Sequence, residues 1–243
     1  MPVLIDSSVI PQDAPCLLAL EASGSTCSVA LLYQGRIRLL HGPATGAQSE
    51  SLLGLTHTLL QEAGIEPKRL QGIAFSQGPG SFTGLRLACG IAQGLALALE
   101  VPLFPVSTLH AQVLACPAGV TYVLSTLDAR MEQLYLGAYV WQDPLWICVL
   151  PPCLCHPRNP PPLPQGTASW TLIGAGMEAY APVLSAAWKV PALPLLPGIR
   201  PDAGQLLVLA CDDWAQGRGV AVEAAAPLYV RDKVALTRHE RLR

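Results

Sequence analysis

The sequence predicts an α/β protein made of two lobes that share one βββαβα plan. Three observations carry this. Apolar runs of strand length alternate with longer segments whose apolar residues recur at helical spacing. A strand–glycine turn–helix unit stands at 72–99 and recurs, more weakly, at 171–187. Each unit is preceded by three strand-like runs joined by turn residues, a pattern that gives a mixed sheet with helices packed on it.

In order along the chain, residues 1–14 are expected to be a loose extension. Residues 16–21, 27–33 and 36–40 read as strands, the last two joined by the hairpin signal Gln34-Gly35. Residues 49–63 form a helix with Leu52, Leu53, Leu59 and Leu60 on its apolar face, and Gly64 stops it. A short buried strand at 71–76 leads into the glycine turn and a helix at 83–99, and 101–106 returns as a strand. The second half repeats the theme with strands at 122–127, 133–140, 145–150 and 171–174 and a helix near 177–187. A late helix at 202–216 is expected to pack back on the first lobe. The proline-rich stretch 151–165 reads as an irregular surface excursion, because proline locks φ and donates no N–H. The first lobe is placed at 15–108 and the second at 109–243. Two such halves facing each other describe the actin-like ATPase architecture, shared with sugar kinases and Hsp70.

Hydrophobic residues make up 51% of the 243 positions and charged ones only 13%, which implies that a partner covers part of the surface. Fifteen basic side chains face seventeen acidic ones, and no basic face is visible, so RNA contact by this chain alone is not expected. No membrane span is expected. The apolar run 85–99 is short for a bilayer, and the run 101–127 is broken by Pro102, Pro105 and Pro117. Asp6 and Asp13 and the lack of a basic region argue against a secretory signal. The eight cysteines are then expected to be reduced thiols in a cytoplasmic protein. Cys153-Leu154-Cys155-His156 is too tightly spaced for a metal site and has no second pair, so it counts as a chance cluster.

The most specific motif is Gly78-Pro79-Gly80-Ser81-Phe82-Thr83-Gly84-Leu85-Arg86. Glycines allow a sharp turn, and Ser81 or Thr83 can cap the following helix. Gly78, Gly80, Ser81, Thr83 and Gly84 are therefore candidates for a nucleotide or anion turn at a helix start. Local physics alone favours the plainer reading, a tight connection that binds nothing.

The full string resembles the TsaB (YeaZ) family of tRNA threonylcarbamoyladenosine biosynthesis proteins. Leu18–Ser23, Cys27–Leu31, Ser49–Leu53, Val106–Leu109, Asp128–Tyr135 and Pro227–Arg231 resemble further family segments in the family's order, whereas 151–200 shows little resemblance. The resemblance implies the actin-like (ASKHA, ribonuclease H-like) fold. It also implies a heterodimer with the transferase TsaD, the ATPase TsaE joining the complex, and tRNA reached only through that complex. The complex interface, not this chain alone, is the place the resemblance leaves open for ATP or ADP, and a homodimer is a second arrangement. The first-lobe helices would pair with those of TsaD or of a second copy. That makes Leu52, Leu53, Thr56, Ser81, Phe82, Thr83, Arg86, Ala88, Ile91 and Ala92 interface candidates. The plainer reading of these two helices is packing on each other.

No residue set points to catalysis. Catalytic relatives carry aspartate at the end of the first strand, where this chain has Glu21, one bond longer and expected to bond the Ser23–Thr26 turn. TsaD carries a His-x-x-x-His pair after the strand matching Leu103–Val106; here His110 is present, but Leu114 stands four residues on. Asp212 and Asp213 are adjacent and point apart on a helix, and Ser81 lacks the Gly-x-Ser-x-Gly spacing of a nucleophile elbow. Asp128 and Arg130 make at most a local ion pair. No catalytic residue, no metal and no cofactor held by this chain alone are expected. The leading reading is a non-catalytic scaffold and activator of the TsaD transferase. The alternative is an independent ATP-dependent kinase or hydrolase, resting on the glycine turn and Glu21. A homodimer with a regulatory or peptidase role is a third reading.

Overall fold

The computed structural model describes residues 3–5, 13–42, 48–164 and 169–231, with the side chains of 3–5 and 48–50 left aside. Parts of the expected extension 1–14, the side chains of Ser49 and Glu50, Gln165 and residues 232–243 of the second lobe lie outside the described residues.

The first sheet has six strands: β1 Val3–Ile5, β2 Leu17–Glu21, β3 Ser28–Tyr33, β4 Arg36–His41, β5 Gly72–Gly78 and β6 Leu103–Ser107. Their order is β1-β4-β3-β2-β5-β6. The hairpins β2–β3 and β3–β4 are antiparallel, and β5 and β6 run parallel to β2. The expectation of a loose start is corrected here. Residues 3–5 add an antiparallel edge strand on β4, with Val3 opposite Leu39 and Ile5 opposite Ile37.

The second sheet contains β7 Tyr122–Asp128, β8 Leu134–Gln142, β9 Leu145–Cys155, β10 Thr171–Gly174 and β11 Leu195–Pro197, in the order β11-β10-β7-β8-β9. Again two antiparallel hairpins precede two parallel strands. The strand plan is therefore that of β2 to β6, and the duplication expected from sequence is present. The proline-rich stretch differs from expectation at its start. β9 runs on through Pro151 and Pro152 to Cys155 and, among the described residues, pairs only with β8. A proline's missing N–H costs nothing on the open side of an edge strand. Cys153 and Cys155 sit opposite Leu136 and Leu134 as ordinary strand residues.

Among the described residues, five α-helices fill the connections: α1 Gln48–Ala63, α2 Phe82–Leu99, α3 Thr108–Val113, α4 Ala181–Trp188 and α5 Ala203–Ala215. In the second lobe, no helix stands between β9 and β10 among the described residues. α1 and α2 cover one face of the first sheet, where Leu52, Leu59, Ala88 and Ala92 meet Leu18, Leu20, Leu31 and Phe75. α5 covers the other face, packing Leu206, Leu207 and Ala210 on Leu17, Ala19, Leu32 and Ala74. Every residue of β2 is therefore buried, which explains its continuous apolar run. α3 crosses the other way, setting Leu109 and Val113 against Val123, Tyr139 and Ile173 of the second sheet. α3, which follows β6, thus packs on the second sheet, and α5, which follows β11, packs on the first, so the two helices hold the sheets together. Asp202 begins α5 with a capping box, its Oδ1 accepting from the N–H groups of Gly204 and Gln205. The Ala203 N–H donates to Ser28 Oγ of β3 at 3.0 Å, which fixes the helix start on the first sheet.

Candidate functional site

The glycine turn is held by the β2–β3 turn. The Ser81 N–H donates to the Ser23 carbonyl at 2.7 Å. Gly80 lies so near that a Cβ there would stand 2.6 Å from the same oxygen. Gly78 has φ +120°, a region that a side chain rarely adopts. Ser81 caps α2 by accepting from the Gly84 N–H at 3.4 Å. Two of the turn's N–H groups are therefore bonded within the chain, whereas Phe82 and Thr83 are exposed at the helix start.

Glu21 points into this same packing and is 2% exposed. Its Oε1 accepts from the Ser23 N–H at 2.6 Å and from the Ser23 hydroxyl. Oε2 is buried without a partner. Burial raises its pKa to about 7 against the hydrogen bonds from Ser23, and the nearby Asp202 raises it further. A buried carboxyl bonded into its own turn does not fit the role of a metal or phosphate-bound water ligand. The expected bond to the turn after β2 is what the geometry shows.

The other chemical candidates are structural as placed. His110 stacks on Tyr139, with ring centroids 5.1 Å apart, and burial lowers its pKa. Asp212 and Asp213 both pair with Arg218 at the end of α5. Asp128 pairs with Arg130 across the β7–β8 turn at 3.5 Å. Burial pushes the Cys155 thiol to about 12 and those of Cys116 and Cys211 to about 11, far from a reactive thiolate. Among the described residues, no three His, Cys, Asp or Glu side chains gather as a metal set.

The first-lobe helices divide the interface candidates in two. Leu52, Thr56, Ala88 and Ala92 are buried against the first sheet. They are core residues, so they leave the set available to a partner. Ser81, Phe82, Thr83, Arg86 and Leu53 are exposed, and Ile91 is half-buried. The outward stripe also includes Gly90, Gly94 and Leu97, which the candidate set omitted. Leu97 is 67% and Leu53 52% exposed, and open space surrounds the Cα atoms of Gly54, Gly90 and Gly94. The helical period could have found the stripe, because residues three and four apart share a face. At 18 residues, α2 is also longer than the run 85–99, and by length and composition it could cross a membrane. Length thus gives no ground against a span. What α2 does here is pack one face on the sheet and leave the other open.

A strap formed by residues 220–231 crosses this helix, and nothing in the sequence's periodicity announces it. Gln93 Nε2 donates to the carbonyls of Val222 and Ala225 at 3.2 and 3.0 Å. The Leu228 N–H donates to the Gln77 carbonyl at 2.8 Å. Arg86 Nε donates to the Tyr229 hydroxyl at 2.8 Å, with the guanidinium 3.8 Å from the Phe82 ring centroid. Arg231 then reaches the β7–β8 turn, donating to Gln133 Oε1 at 2.6 Å and to the Arg130 carbonyl at 3.4 Å. That turn holds Arg130, Met131 and Glu132 at φ of 63°, 54° and 56°, three successive left-handed residues without glycine. The strap therefore ties the glycine turn of one lobe to the strained turn of the other.

Two sheets of one strand plan, held together by α3 and α5, define a protein of the actin-like ATPase class. The family profile described as "TsaD: tRNA N6-adenosine threonylcarbamoyltransferase" matches residues 43–166. The chain is 35% identical over 229 residues to the Escherichia coli (strain K12) tRNA threonylcarbamoyladenosine biosynthesis protein TsaB, covering 90% of this chain and 96% of that one. The Haemophilus influenzae protein of the same name is 29% identical over 228 residues, covering 90% and 94%. A crystal structure from Pseudomonas aeruginosa, described as similar to peptidase YEAZ, superposes with a TM-score of 0.80. That protein is 34% identical, with 89% of this chain and 100% of that chain covered. The chain belongs to the TsaB (YeaZ) family.

Proposed function

We propose that this chain is a non-catalytic scaffold and activator in tRNA threonylcarbamoyladenosine formation. It docks the TsaD transferase through the open stripe of α1 and α2 and stabilises its active arrangement. The observation that carries this reading is the pairing of two features in one lobe. The carboxylate at the end of β2 is bonded into its own turn, while the neighbouring helix face, Leu53, Gly90, Gly94 and Leu97, is apolar and uncovered. Small residues let a partner helix approach closely, and the apolar neighbours then supply the buried area. In this reading TsaE joins the complex, ATP or ADP sits at the subunit junction rather than in this chain alone, and the assembly works in the cytoplasm. A second copy of the chain could cover the same stripe, so the homodimer and the heterodimer exclude each other.

Co-elution of the purified chain with TsaD tests this. The wild-type chain is expected to elute with TsaD, and Leu97→Arg is expected to abolish the complex while leaving the fold intact. Absence of co-elution with the wild-type chain would reject the reading.

A further inference from the structure

A cleft opens between the two sheets on the side of α5. The stripe of α1 and α2 lies across the first sheet from it, because those helices cover the opposite face. The cleft has a volume of about 1750 Å³. One wall is the β8–β9 hairpin, with Trp141, Leu145, Trp146 and Ile147. α5 supplies another, with Val208, Leu209 and Trp214. Trp141, Leu145, Ile147 and Val208 are all exposed, so much of the large apolar surface left open by the fold gathers in this one concavity. Single apolar residues scattered over a surface need no explanation, whereas a lined apolar cleft marks a place of binding.

Charge and size narrow the occupant. Asp13, Asp202 and Asp212 line the cleft, and Arg218 is the one lysine or arginine among its described lining residues. Arg218 is already paired with Asp212 and Asp213, at 2.7 and 2.6 Å. His110 also lines the cleft, and burial lowers its pKa, so it adds no positive charge at neutral pH. An apolar cleft with a net negative charge disfavours RNA and anionic membranes and favours a cation-bearing apolar ligand. Pockets for small molecules usually measure about 300–1000 Å³. Three turns of helix with side chains, about 10–12 Å wide and about 16 Å long, fill roughly 1300–1800 Å³. A second copy of the chain has no suitable helix to offer. Arg86 is the one lysine or arginine in α1 to α5.

We infer that this cleft docks an amphipathic helix of a partner protein, about three turns long, with an apolar face flanked by Lys or Arg. The apolar face lies against Trp146, Ile147 and Val208, and the basic flanks meet Asp13, Asp202 and Asp212. The site lies across the first sheet from the stripe assigned to TsaD, so the two contacts do not compete. The inference holds whether or not that stripe binds TsaD.

The test uses two fluorescein-labelled peptides of about 14 residues: one of leucine and lysine with its leucines at helical spacing, and a twin with glutamate for every lysine. Each is titrated with the full chain and followed by anisotropy. Saturable one-to-one binding of the lysine peptide is expected, at least about tenfold tighter than the twin at low salt and weakened by added salt. Tryptophan emission should change with it, because Trp141, Trp146 and Trp214 line the cleft. Val208→Asp and Ile147→Asp, on the two walls, should each weaken binding about tenfold, because a carboxylate then stands against the apolar face. General attraction between opposite charges predicts the reverse, since both variants add negative charge. Val208→Ile should stay near the wild type and guards against a folding artefact. Absence of saturable binding, equal binding of the twin, or undiminished binding in both aspartate variants would overturn the inference. So would light scattering that showed a dimer abolished by Val208→Asp, which would give the cleft to a second copy.

Discussion

Gly80 and Ser23 touch backbone to backbone: the Ser81 N–H bonds the Ser23 carbonyl at 2.7 Å, and a Cβ on residue 80 would stand 2.6 Å from that oxygen. The neighbour is main chain and cannot swing away. Gly80→Ala should therefore destabilise the protein by about 2 kcal/mol or more. Urea unfolding followed by circular dichroism would check this, with a lowered midpoint and an unchanged slope as the expected result.

Glu21 should make stability depend on pH. Its pKa in the fold is about 7, raised from 4.5 chiefly by burial. The folded chain keeps the proton over a range where the unfolded chain has lost it. The stabilisation from this group is complete below about pH 4.5 and is lost as pH rises through 7. The full effect is on the order of 3 kcal/mol. Glu21→Gln keeps an acceptor for Ser23 and has no charge to bury. Its unfolding free energy between pH 5 and 7.5 should fall less steeply than that of the wild type. Parallel curves would place the titration elsewhere.

The glycines on α2 separate folding from docking. Gly94 is exposed in mid-helix with open space around it, so Gly94→Ala should stabilise the isolated chain by roughly 1 kcal/mol. The same methyl group, and more so the side chain of Gly94→Leu, would hold a partner helix away. A raised melting temperature together with weaker TsaD binding in calorimetry is expected. Stabilisation with unchanged binding would move the interface off this stripe.

The β7–β8 turn stores strain that the strap holds in place. Left-handed geometry costs a non-glycine residue roughly 1–2 kcal/mol, and Arg130 adopts it at φ 63°. Arg130→Gly should relieve about 1 kcal/mol. Arg231→Ala should free the turn, because the guanidinium no longer spans Gln133 and the Arg130 carbonyl. Amide hydrogen exchange at 129–133 would report this as faster exchange in Arg231→Ala only.

Much of the fold was legible because it rests on local patterns. The run Leu17–Leu20 announced a strand buried on both faces, and Gly78–Arg86 announced a turn into a helix. The repeated order of strands followed from the same signals. The site was less legible because exposure is a tertiary property. Leu52 and Leu53 are neighbours of one type, yet the first is core and the second faces outward. Ala88 and Gly90 look alike as small residues, and only the angle of α2 on the sheet separates them. The strap was illegible for another reason. Its bonds join Gln93 to Ala225 and Arg231 to Gln133, across separations that no periodicity encodes. The similarity of Pro227–Arg231 to the family was its one signal.

The most direct measurement is threonylcarbamoyl transfer to unmodified tRNA, assayed with the chain alone, TsaD alone, and the two together in the presence of the threonylcarbamoyl donor. A silent chain and a mixture faster than TsaD alone are predicted, with the gain lost in Leu97→Arg. Transfer by the chain alone, or no gain on mixing, would contradict the account.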